Sequence, residues 1–450
     1  MQNSFAYTLR QVLDRRGLMW QLRGLGLLIR LVLIAVLGDA PLVGDAADYH
    51  RMAIEFLEGE QFGTYWPPGL PLYEAAVIWM FGKSVVVARL AMLLWYVLLC
   101  RMLYGLLDRM HSRVAANLSV LILAFFPAFI FNSIEPLTQL PAATLLLAIY
   151  SLLYRYLHRR RMNYVWWMGL ALGALVLVRP SAAFFLPLVP LMIFLQARKI
   201  GAAVFVAVLS VGMVSGWIWT ATTSKGRLIP INEANARNFY LGNNAWTPWY
   251  KTWMYGSHWT QWPGFPEGFR AELAEIEAAP EGERTKQYWA AALGNIGAEP
   301  GMFAVRSLSR VRTFLAFDSM AGSRLLSGEK PNKVLGYVVL GLDAVFYMLI
   351  GVGWLIFVFG ASRYALETRY FILSFVFLFM YSLPYFTSFS HPTYHLPIIP
   401  FFLIPACALG SHMLEKGAPR RVFKNWRFYV AFGLFIGIQI EWVIQMMHFP

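Results

Sequence analysis

Charged residues are scarce in this chain: Asp, Glu, Lys and Arg fill 14% of its 450 positions, whereas 58% are hydrophobic. Soluble domains carry about 25% charged and about 45–50% apolar residues, so the composition excludes an ordinary soluble domain. Aromatic residues reach 16%, as expected where rings anchor helices at membrane–water interfaces. Lipid is therefore the predicted solvent for most of the chain.

Cysteine is nearly absent. The two cysteines, Cys100 and Cys407, both lie within apolar runs. A disulfide framework or a thiolate metal site needs more cysteines at characteristic spacings. The sequence excludes both, and we expect these two side chains to serve as packing residues.

Acidic residues are also few, with 24 against 38 basic residues and a formal charge of +14. A nucleic-acid-binding protein would gather this charge into one stripe with interleaved aromatics. Here the basic residues form short clusters between apolar segments, as in a protein oriented across a membrane. The apolar stretch after the basic N-terminus lacks a small-residue cleavage site, which predicts a retained first span.

Long apolar runs recur along the whole chain. A run of about 17–25 apolar residues is long enough to cross the hydrocarbon core as a helix, and about eleven runs meet this criterion. The sequence therefore predicts an all-α integral membrane protein. The runs lie near 24–42, 84–107, 114–132, 136–157, 164–179, 181–197, 199–222, 332–359, 368–388, 394–414 and 428–447.

Basic and basic-poor loops alternate between these runs. The basic clusters at 159–161 and 416–427 fall on the same side as the basic N-terminus, and the positive-inside rule makes that side cytoplasmic. We expect a bacterial inner (plasma) membrane protein with a cytoplasmic N-terminus and a periplasmic C-terminus. The loops predicted to face outward are 43–83, 132–135, 223–331 and 389–393.

Two outward segments are too long to be simple turns. From Asp45 to Leu57 the apolar residues recur at helical spacing, which predicts an amphipathic helix along the membrane surface. The later segment is rich in aromatics, and its length of well over about 15 residues favours an ordered, mostly helical outer cap. The predicted organisation is a transmembrane catalytic module at 1–222 with the outer loop 43–83, the cap at 223–331, and C-terminal transmembrane helices at 332–450.

Asp45 and Asp48 are one helical turn apart, so on a helix their carboxylates lie on one face. An ionised carboxylate in a water-filled cleft acts as a general base towards a hydroxyl or an amine, or holds a divalent cation. The alternative is a helix cap followed by a solvated helix face. Three roles of the two aspartates stay open: catalysis, binding of a divalent cation as cofactor, and this structural alternative.

Glu135 and Arg179 lie near predicted membrane boundaries. Glu135 occupies a very short outward turn before Pro136, where a carboxylate is costly unless it pairs, coordinates or faces water. Substrate binding and pairing with a nearby Arg both remain open. Arg179 ends the fifth predicted span, and its alternatives are contact with an anionic group and snorkelling to the headgroups.

Further candidates lie in the other outward segments. His391 and His395 are four residues apart beside prolines, which favours a pair of donors to a phosphate over a metal site on a regular helix. Arg306 and Arg310 share one helical face near the headgroups, where they suit a lipid phosphate or pair with the acidic stretch before them. Tyr65 opens an aromatic segment that serves either as a stacking wall for a sugar or as part of an interfacial belt.

Several motifs occur in a characteristic order over about 1–415. They are Gly44-Asp45-x-x-x-Tyr49, Gly59-x-x-Phe62, Pro67-Pro68-Gly69-Leu70-Pro71-Leu72-Tyr73, Phe81-Gly82, Ser133-x-Glu135, Gly169-x-x-x-Gly173 before Arg179-Pro180, Asn238-x-x-x-Gly242-Asn243-Asn244, and Tyr394-His395-Leu396-Pro397-x-x-Pro400. Together they resemble the C-type glycosyltransferases, in the branch of the protein O-mannosyltransferases and the bacterial lipid A aminoarabinose transferases.

The resemblance implies a sugar donor on a polyprenyl phosphate, a glycan, lipid or protein acceptor, and inverting transfer on the non-cytoplasmic face. It gives Asp45 the role of catalytic base, but Ala46 stands where the family often has Glu, so Asp48 remains an alternative. Trp66 replaces a basic residue that often precedes the Pro-Pro pair. The candidate substrate-binding residues are Glu135, Tyr65, Arg179, Asn243, Asn244, Arg310, Tyr394 and His395.

A transporter or flippase of lipid-linked sugars is the alternative function. It would need charged or broken helices near the bilayer midplane and some repeat symmetry. The acids of this chain instead cluster in loops, and no internal repeat is visible. We therefore predict a hexosyl- or pentosyltransferase.

Overall fold

The computed structural model describes residues 4–59, 62–250, 266–327, 331–361, 367–417 and 419–447, which are helical and without strands. The all-α prediction is confirmed over these residues. The helices of the first half are α1 (Ser4–Leu13), α2 (Leu18–Leu37), α3 (Asp45–Glu58), α4 (Gly69–Phe81), α5 (Val85–Met110), α6 (Arg113–Phe125), α7 (Pro127–Asn132), α8 (Gln139–Arg159), α9 (Met162–Val178), α10 (Phe185–Ala197) and α11 (Ile200–Lys225). Those of the second half are α12 (Ala234–Gly242), α13 (Glu267–Ala278), α14 (Glu281–Ala298), α15 (Pro300–Phe314), α16 (Met320–Ser327), α17 (Lys333–Ile356), α18 (Thr368–Thr387), α19 (Ile399–Lys416) and α20 (Trp426–Met447).

Nine helical segments of the described chain are long and apolar enough to cross a membrane. The predicted spans near 114–132 and 164–179 coincide instead with the shorter apolar helices α6 and α9, so the count of eleven stays a prediction. The first predicted span is placed too late in the sequence. Helix α2 already ends at Leu37, where Gly38 adopts a φ of 51° and its N–H closes the last turn on the Ile34 carbonyl at 2.8 Å.

Two segments form the centre of the helix bundle. Helix α8 has 83% of its apolar window buried and the segment Pro392–Lys416 has 72%, against 17% for α2 and α20 at the periphery. Helix α8 packs on α5, α9 and the short 3₁₀ helix Pro392–Ile398 that precedes α19. Polar residues at the ends of these central helices are therefore held inside the protein.

The first outer loop contains the predicted amphipathic helix, α3. Its buried face carries Ala46, Tyr49, Met52 and Ala53, and it packs on α4. Gly44, with a φ of 63°, turns the chain so that Asp45 begins the helix. The predicted helix is confirmed, and its position along a membrane surface stays a prediction.

Helices α12 to α16 form the described part of the segment predicted to be the outer cap; its helical character is confirmed, and its location outside the membrane stays a prediction. Aromatic and aliphatic side chains from α12, α13 and α14 pack together, including Tyr240, Phe269 and Tyr288. Residues 251–265 and 328–330 of the cap lie outside the described residues. The backbone N–H of Ala234 donates to the Tyr65 carbonyl at 3.1 Å, so the start of the cap is bound to the first outer loop.

Candidate active site

Asp45 lies in the first turn of α3, where the helix dipole favours a negative charge. Its carboxylate acts electrostatically on the hydroxyls of Tyr49, Tyr65 and Tyr394. These three tyrosines come from α3, the loop after it, and the 3₁₀ helix before α19. The fold thus brings residues more than three hundred positions apart within electrostatic range of one half-buried carboxylate.

Arg179 is buried at the end of α9, with 8% of its surface exposed. Hydroxyl groups accept its hydrogen bonds: Nε donates to the Tyr385 Oη at 2.7 Å and Nη1 donates to the Thr138 Oγ1 at 2.8 Å. The rings of Tyr385 and Tyr394 lie 5.7 and 5.3 Å from its guanidinium carbon. No carboxylate of the described residues forms an ion pair with it, so its charge is available to an anion.

Tyr49 is influenced by both of these charged groups. Burial, followed by the charge of Asp45, raises the pKa of Tyr49, while Arg179 acts on the same hydroxyl in the opposite direction. Thr138, which accepts the hydrogen bond of Arg179, is a neighbour of this hydroxyl. Asp45 and Arg179 therefore belong to one polar cluster.

Asp48 projects into different surroundings. Arg51 Nη2 donates to its Oδ1 at 2.7 Å, and the Trp66 indole N–H donates to its Oδ2 at 3.1 Å. With Glu55 and Tyr65, these residues line a small cavity of about 210 Å³. Both Asp48 oxygens are engaged by α3 and the loop after it, so the two aspartates are not equivalent.

Tyr65 forms part of the wall beside Asp45. Its ring meets the Trp66 ring edge-on at a centroid distance of 4.9 Å. Burial raises the pKa of Tyr65, and Arg237 of the cap opposes the shift. The side chain is thus neutral and held between the first outer loop and the cap.

Glu135 is buried in an ion pair with Arg89, whose Nη2 lies 3.2 Å from its Oε1. Arg324 of the cap approaches the other carboxylate oxygen at 3.9 Å. This is the pairing with a nearby Arg that the sequence left open. Contact between Glu135 and a substrate stays a prediction.

Asn243, Asn244 and Arg310 bind mainly backbone carbonyls. Arg310 is fully buried, donates to the Thr387 carbonyl at 3.2 Å and to the Asn243 Oδ1 at 3.0 Å, and also bonds the Gly242 carbonyl. Asn243 Nδ2 donates to the same Thr387 carbonyl at 3.0 Å, and Asn244 Nδ2 donates to carbonyls of α12. Burial, with the charge of Arg306, lowers the pKa of Arg310 to about 9.

These three residues therefore join the cap to the end of α18, and contact with the donor phosphate stays a prediction for them. The alternative in which an outer arginine pairs with the acidic stretch does not apply to Arg310 in the described residues, because carbonyls and the Asn243 amide oxygen accept its hydrogen bonds. Gly242 permits this junction, since a Cβ there would lie 1.9 Å from the Ser388 carbonyl oxygen.

Tyr394 and His395 are adjacent in sequence but face different neighbours. Tyr394 lies against Arg179, within the cluster around Asp45. His395 is 1% exposed, its Nδ1 lies 2.8 Å from the Phe314 carbonyl oxygen, and its ring stacks on Tyr347 at 4.7 Å. Tyr394 therefore lies with Arg179 and His395 packs against α15 and α17, and contact of either residue with a substrate stays a prediction.

Sequence reasoning missed Thr138, Tyr385 and Arg89, which the fold brings to the site or to its support. Thr138 and Tyr385 accept the hydrogen bonds of Arg179. Tyr381 and Tyr385 recur at a spacing of four residues near Pro384, within an otherwise apolar span. Paired tyrosines on one face at the end of a span are the signal that would have found them.

Metal binding has no dedicated cluster in the part of the chain that the structure describes, where no group of three or more His, Cys, Asp or Glu side chains converges. Asp45 and Tyr394 provide oxygen atoms, which are the ligands of hard divalent cations. A divalent cation at Asp45 remains a prediction.

Residues 66–219 match the family described as dolichyl-phosphate-mannose-protein mannosyltransferase. This match supports the C-type glycosyltransferase branch. The matched segment begins at Trp66, and it contains Glu135, Thr138 and Arg179 of the site and its support.

This partial match agrees with the multi-pass helical architecture and supports a membrane glycosyltransferase. A crystal structure of ArnT from Cupriavidus metallidurans in the apo state is similar to 88% of this chain and 77% of that chain, at 14% identity and a TM-score of 0.38. The comparison with curated proteins gives no match.

Proposed function

We propose that this protein transfers a sugar from a polyprenyl-phosphate carrier to an envelope glycan, lipid or protein acceptor, with inversion at the anomeric carbon. Transfer occurs on the non-cytoplasmic face of a bacterial inner membrane, with the N-terminus in the cytoplasm and the C-terminus in the periplasm. The transmembrane module at 1–222 carries the site, the cap at 223–331 covers it, and 332–450 completes the bundle.

One observation carries the proposal: the buried Arg179 is held by the hydroxyls of Tyr385 and Thr138 and lies 5.3 Å from the ring of Tyr394, a tyrosine that the charge of Asp45 also reaches. Transfer from a phosphate-linked sugar requires a base for the acceptor and a cation for the departing phosphate. A carboxylate at a helix N-terminus and a buried guanidinium held by hydroxyls are chemically suited to these two tasks.

In the proposed reaction, a hydroxyl oxygen of the acceptor attacks the anomeric carbon from the side opposite the phosphate. Asp45 accepts the hydroxyl proton while the new carbon–oxygen bond forms. The bond between the anomeric carbon and the phosphate oxygen breaks, and its electron pair leaves with the polyprenyl phosphate. Attack from the opposite side inverts the configuration at this carbon.

Arg179 stabilises the charge that develops on the leaving phosphate. Its guanidinium is oriented by Tyr385 and Thr138, so little reorganisation is needed as the charge grows. Tyr65 and Tyr394 form aromatic walls beside the base, which suit the apolar face of a sugar ring.

Asp48 has a positioning role in this proposal. Its hydrogen bond from the Trp66 indole N–H connects α3 to the loop that carries Tyr65, while its ion pair with Arg51 lies within α3. Loss of Asp48 is expected to loosen this loop, whereas loss of Asp45 removes the base itself.

The test is transfer by purified protein supplied with radiolabelled polyprenyl-phosphate hexoses and pentoses, for Asp45→Asn and Asp48→Asn. General-base catalysis contributes roughly 10²–10⁴-fold, so Asp45→Asn should lose at least a hundredfold in kcat with an unchanged melting temperature. Asp48→Asn should retain measurable kcat and show a raised KM. Full activity in Asp45→Asn would overturn the assignment, and movement of intact donor across vesicles without its consumption would favour a flippase.

A further inference from the structure

A second cavity lies at the other end of the helix bundle from Asp45. Its volume is about 740 Å³, and it opens between α5, α8 and α9, within the range of about 300–1,000 Å³ that ligand sites occupy. Trp95 and Thr144 line it near the middle of the bundle, and Arg109 lines it where α5 ends. The proposed transfer reaction makes no use of this groove.

Three arginines line the groove: Arg101, Arg109 and Arg155. None of them forms an ion pair with a carboxylate of the described residues. Arg109 donates to the Gly105 carbonyl of its own helix at 2.7 Å, and Asp108 is the single acidic side chain in the lining. Arg101 and Arg109 both act electrostatically on Arg155, so the groove concentrates unneutralised positive charge.

The depth of Arg101 separates it from an ordinary basic loop. It precedes Arg109 by eight residues on α5, which places it about 12 Å deeper along the helix at 1.5 Å per residue. Its side chain is exposed on the bundle surface rather than enclosed in the core. An arginine at this depth beside lipid is costly unless it meets water or an anion.

Apolar side chains form the rest of the groove. Leu98, Leu145, Trp167 and Ala171 line its walls. From Trp95 to Arg109 the groove follows α5 over fourteen residues, or about 21 Å. A cationic end joined to an apolar channel of this length matches a phosphate headgroup joined to an acyl chain.

We propose that this groove binds an anionic diacyl phospholipid of the cytoplasmic leaflet. The lipid phosphate lies among Arg101, Arg109 and Arg155, and one acyl chain lies along the faces of α8 and α9. Charge complementarity selects an anionic lipid, as in the basic pockets between transmembrane helices that hold acidic headgroups. The positive-inside orientation places this end of the bundle in the cytoplasmic leaflet.

Native mass spectrometry of the full-length, delipidated protein tests the proposal, with phosphatidylglycerol and phosphatidylcholine of identical acyl chains as probes. The wild type should retain phosphatidylglycerol more strongly than phosphatidylcholine. The double variant Arg101→Gln/Arg155→Gln should bind phosphatidylglycerol roughly thirtyfold more weakly. This estimate multiplies a factor of about five for each of the two arginines removed near an anionic headgroup. Arg420→Gln/Arg421→Gln, which removes the same charge outside the groove, is the matched control and should bind like the wild type.

The apolar channel has its own test. Ala171→Phe fills the groove without changing its charge, and it should also weaken retention of phosphatidylglycerol. The melting temperature without added lipid shows whether each variant is folded. Equal retention by the wild type and the two groove variants would overturn the proposal, as would displacement of bound phosphatidylglycerol by an equimolar polyprenyl phosphate.

Discussion

The Arg89 guanidinium joins Glu135 in a buried ion pair, with Nη2 3.2 Å from Oε1. The same guanidinium donates through Nη1 to the carbonyls of Gly38 and Ala40, at 2.9 and 3.0 Å. These carbonyls belong to the turn that leads from α2 to Asp45. Through Arg89, Glu135 therefore stabilises the turn that leads to Asp45, the proposed base.

Glu135→Gln should destabilise the protein, because it leaves the Arg89 charge buried without its counter-charge. Breaking such a pair costs about 3–5 kcal/mol, measurable as a lower melting temperature of the purified protein. Glu58→Gln breaks the exposed pair with Lys83 and should change stability by less than about 1 kcal/mol. Unchanged stability with a raised KM for the donor would instead make Glu135 a substrate contact.

Gly69→Ala should lower both stability and activity. A Cβ at Gly69 would lie 2.5 Å from the Val178 backbone nitrogen and 2.7 Å from the Leu177 carbonyl carbon, so α4 would have to move away from α9. Overpacking of this kind costs about 1–3 kcal/mol, and the shift would reach Arg179, the next residue. Gly212→Ala, which meets no atom within 4 Å, is the control; equal melting temperatures and kcat values for both variants would contradict the prediction.

Arg179→Lys should reduce kcat/KM for the donor at least tenfold. Lysine keeps the charge but loses the planar fork that donates to Tyr385 and Thr138 at once. Steady-state kinetics measures this loss, and Arg227→Lys, at an ion pair with Glu233 of the cap, serves as the control. Normal kinetics in Arg179→Gln would remove Arg179 from the proposed mechanism.

Asp318 should make stability depend on pH. Burial raises its pKa, against the opposing hydrogen bonds from the Met320 N–H and the Thr393 hydroxyl. Its stabilising effect is present below the unfolded value of about 3.9 and is lost as the pH rises through the higher folded value. As the pH rises above this unfolded value, the melting temperature should therefore fall less in Asp318→Asn than in the wild type.

The exposed Asp14, with 61% of its side chain accessible, provides the control for this measurement. Asp14→Asn should show the pH dependence of the wild type. If the melting temperature of Asp318→Asn also changes with pH as in the wild type, another group causes the pH dependence.

Local patterns in the sequence were sufficient to predict the helices. The recurrence of Ala46, Tyr49 and Ala53 predicted α3, because one face of a helix repeats every three to four residues. The end of α2 was misplaced, since a run of apolar residues continues beyond the helix while the positive φ of Gly38 closes it. Hydropathy measures transfer to lipid and carries no information on backbone dihedral angles.

The roles of the polar residues were less accessible from the sequence. The spacing of Asp45 and Asp48 does not show which of them is the base, but the structure gives them different neighbours. The charge of Asp45 acts on the hydroxyls of three tyrosines, whereas Arg51 and Trp66 donate hydrogen bonds to Asp48. Arg310 was expected to serve an anion or an acidic partner, but it joins α15 to Gly242 and Thr387. These partners lie tens of residues away in sequence, and no local period encodes them.

The sequence by itself determined that the chain is a helical membrane protein, and it predicted two long outer segments, because hydrophobicity, helical spacing and loop charge are local properties. Only the tertiary structure decided which hydroxyls hold Arg179 and which arginines are engaged by carbonyls or by Glu135. Such pairings depend on packing between distant helices, where a buried charge is stable only beside the partners that the whole fold supplies.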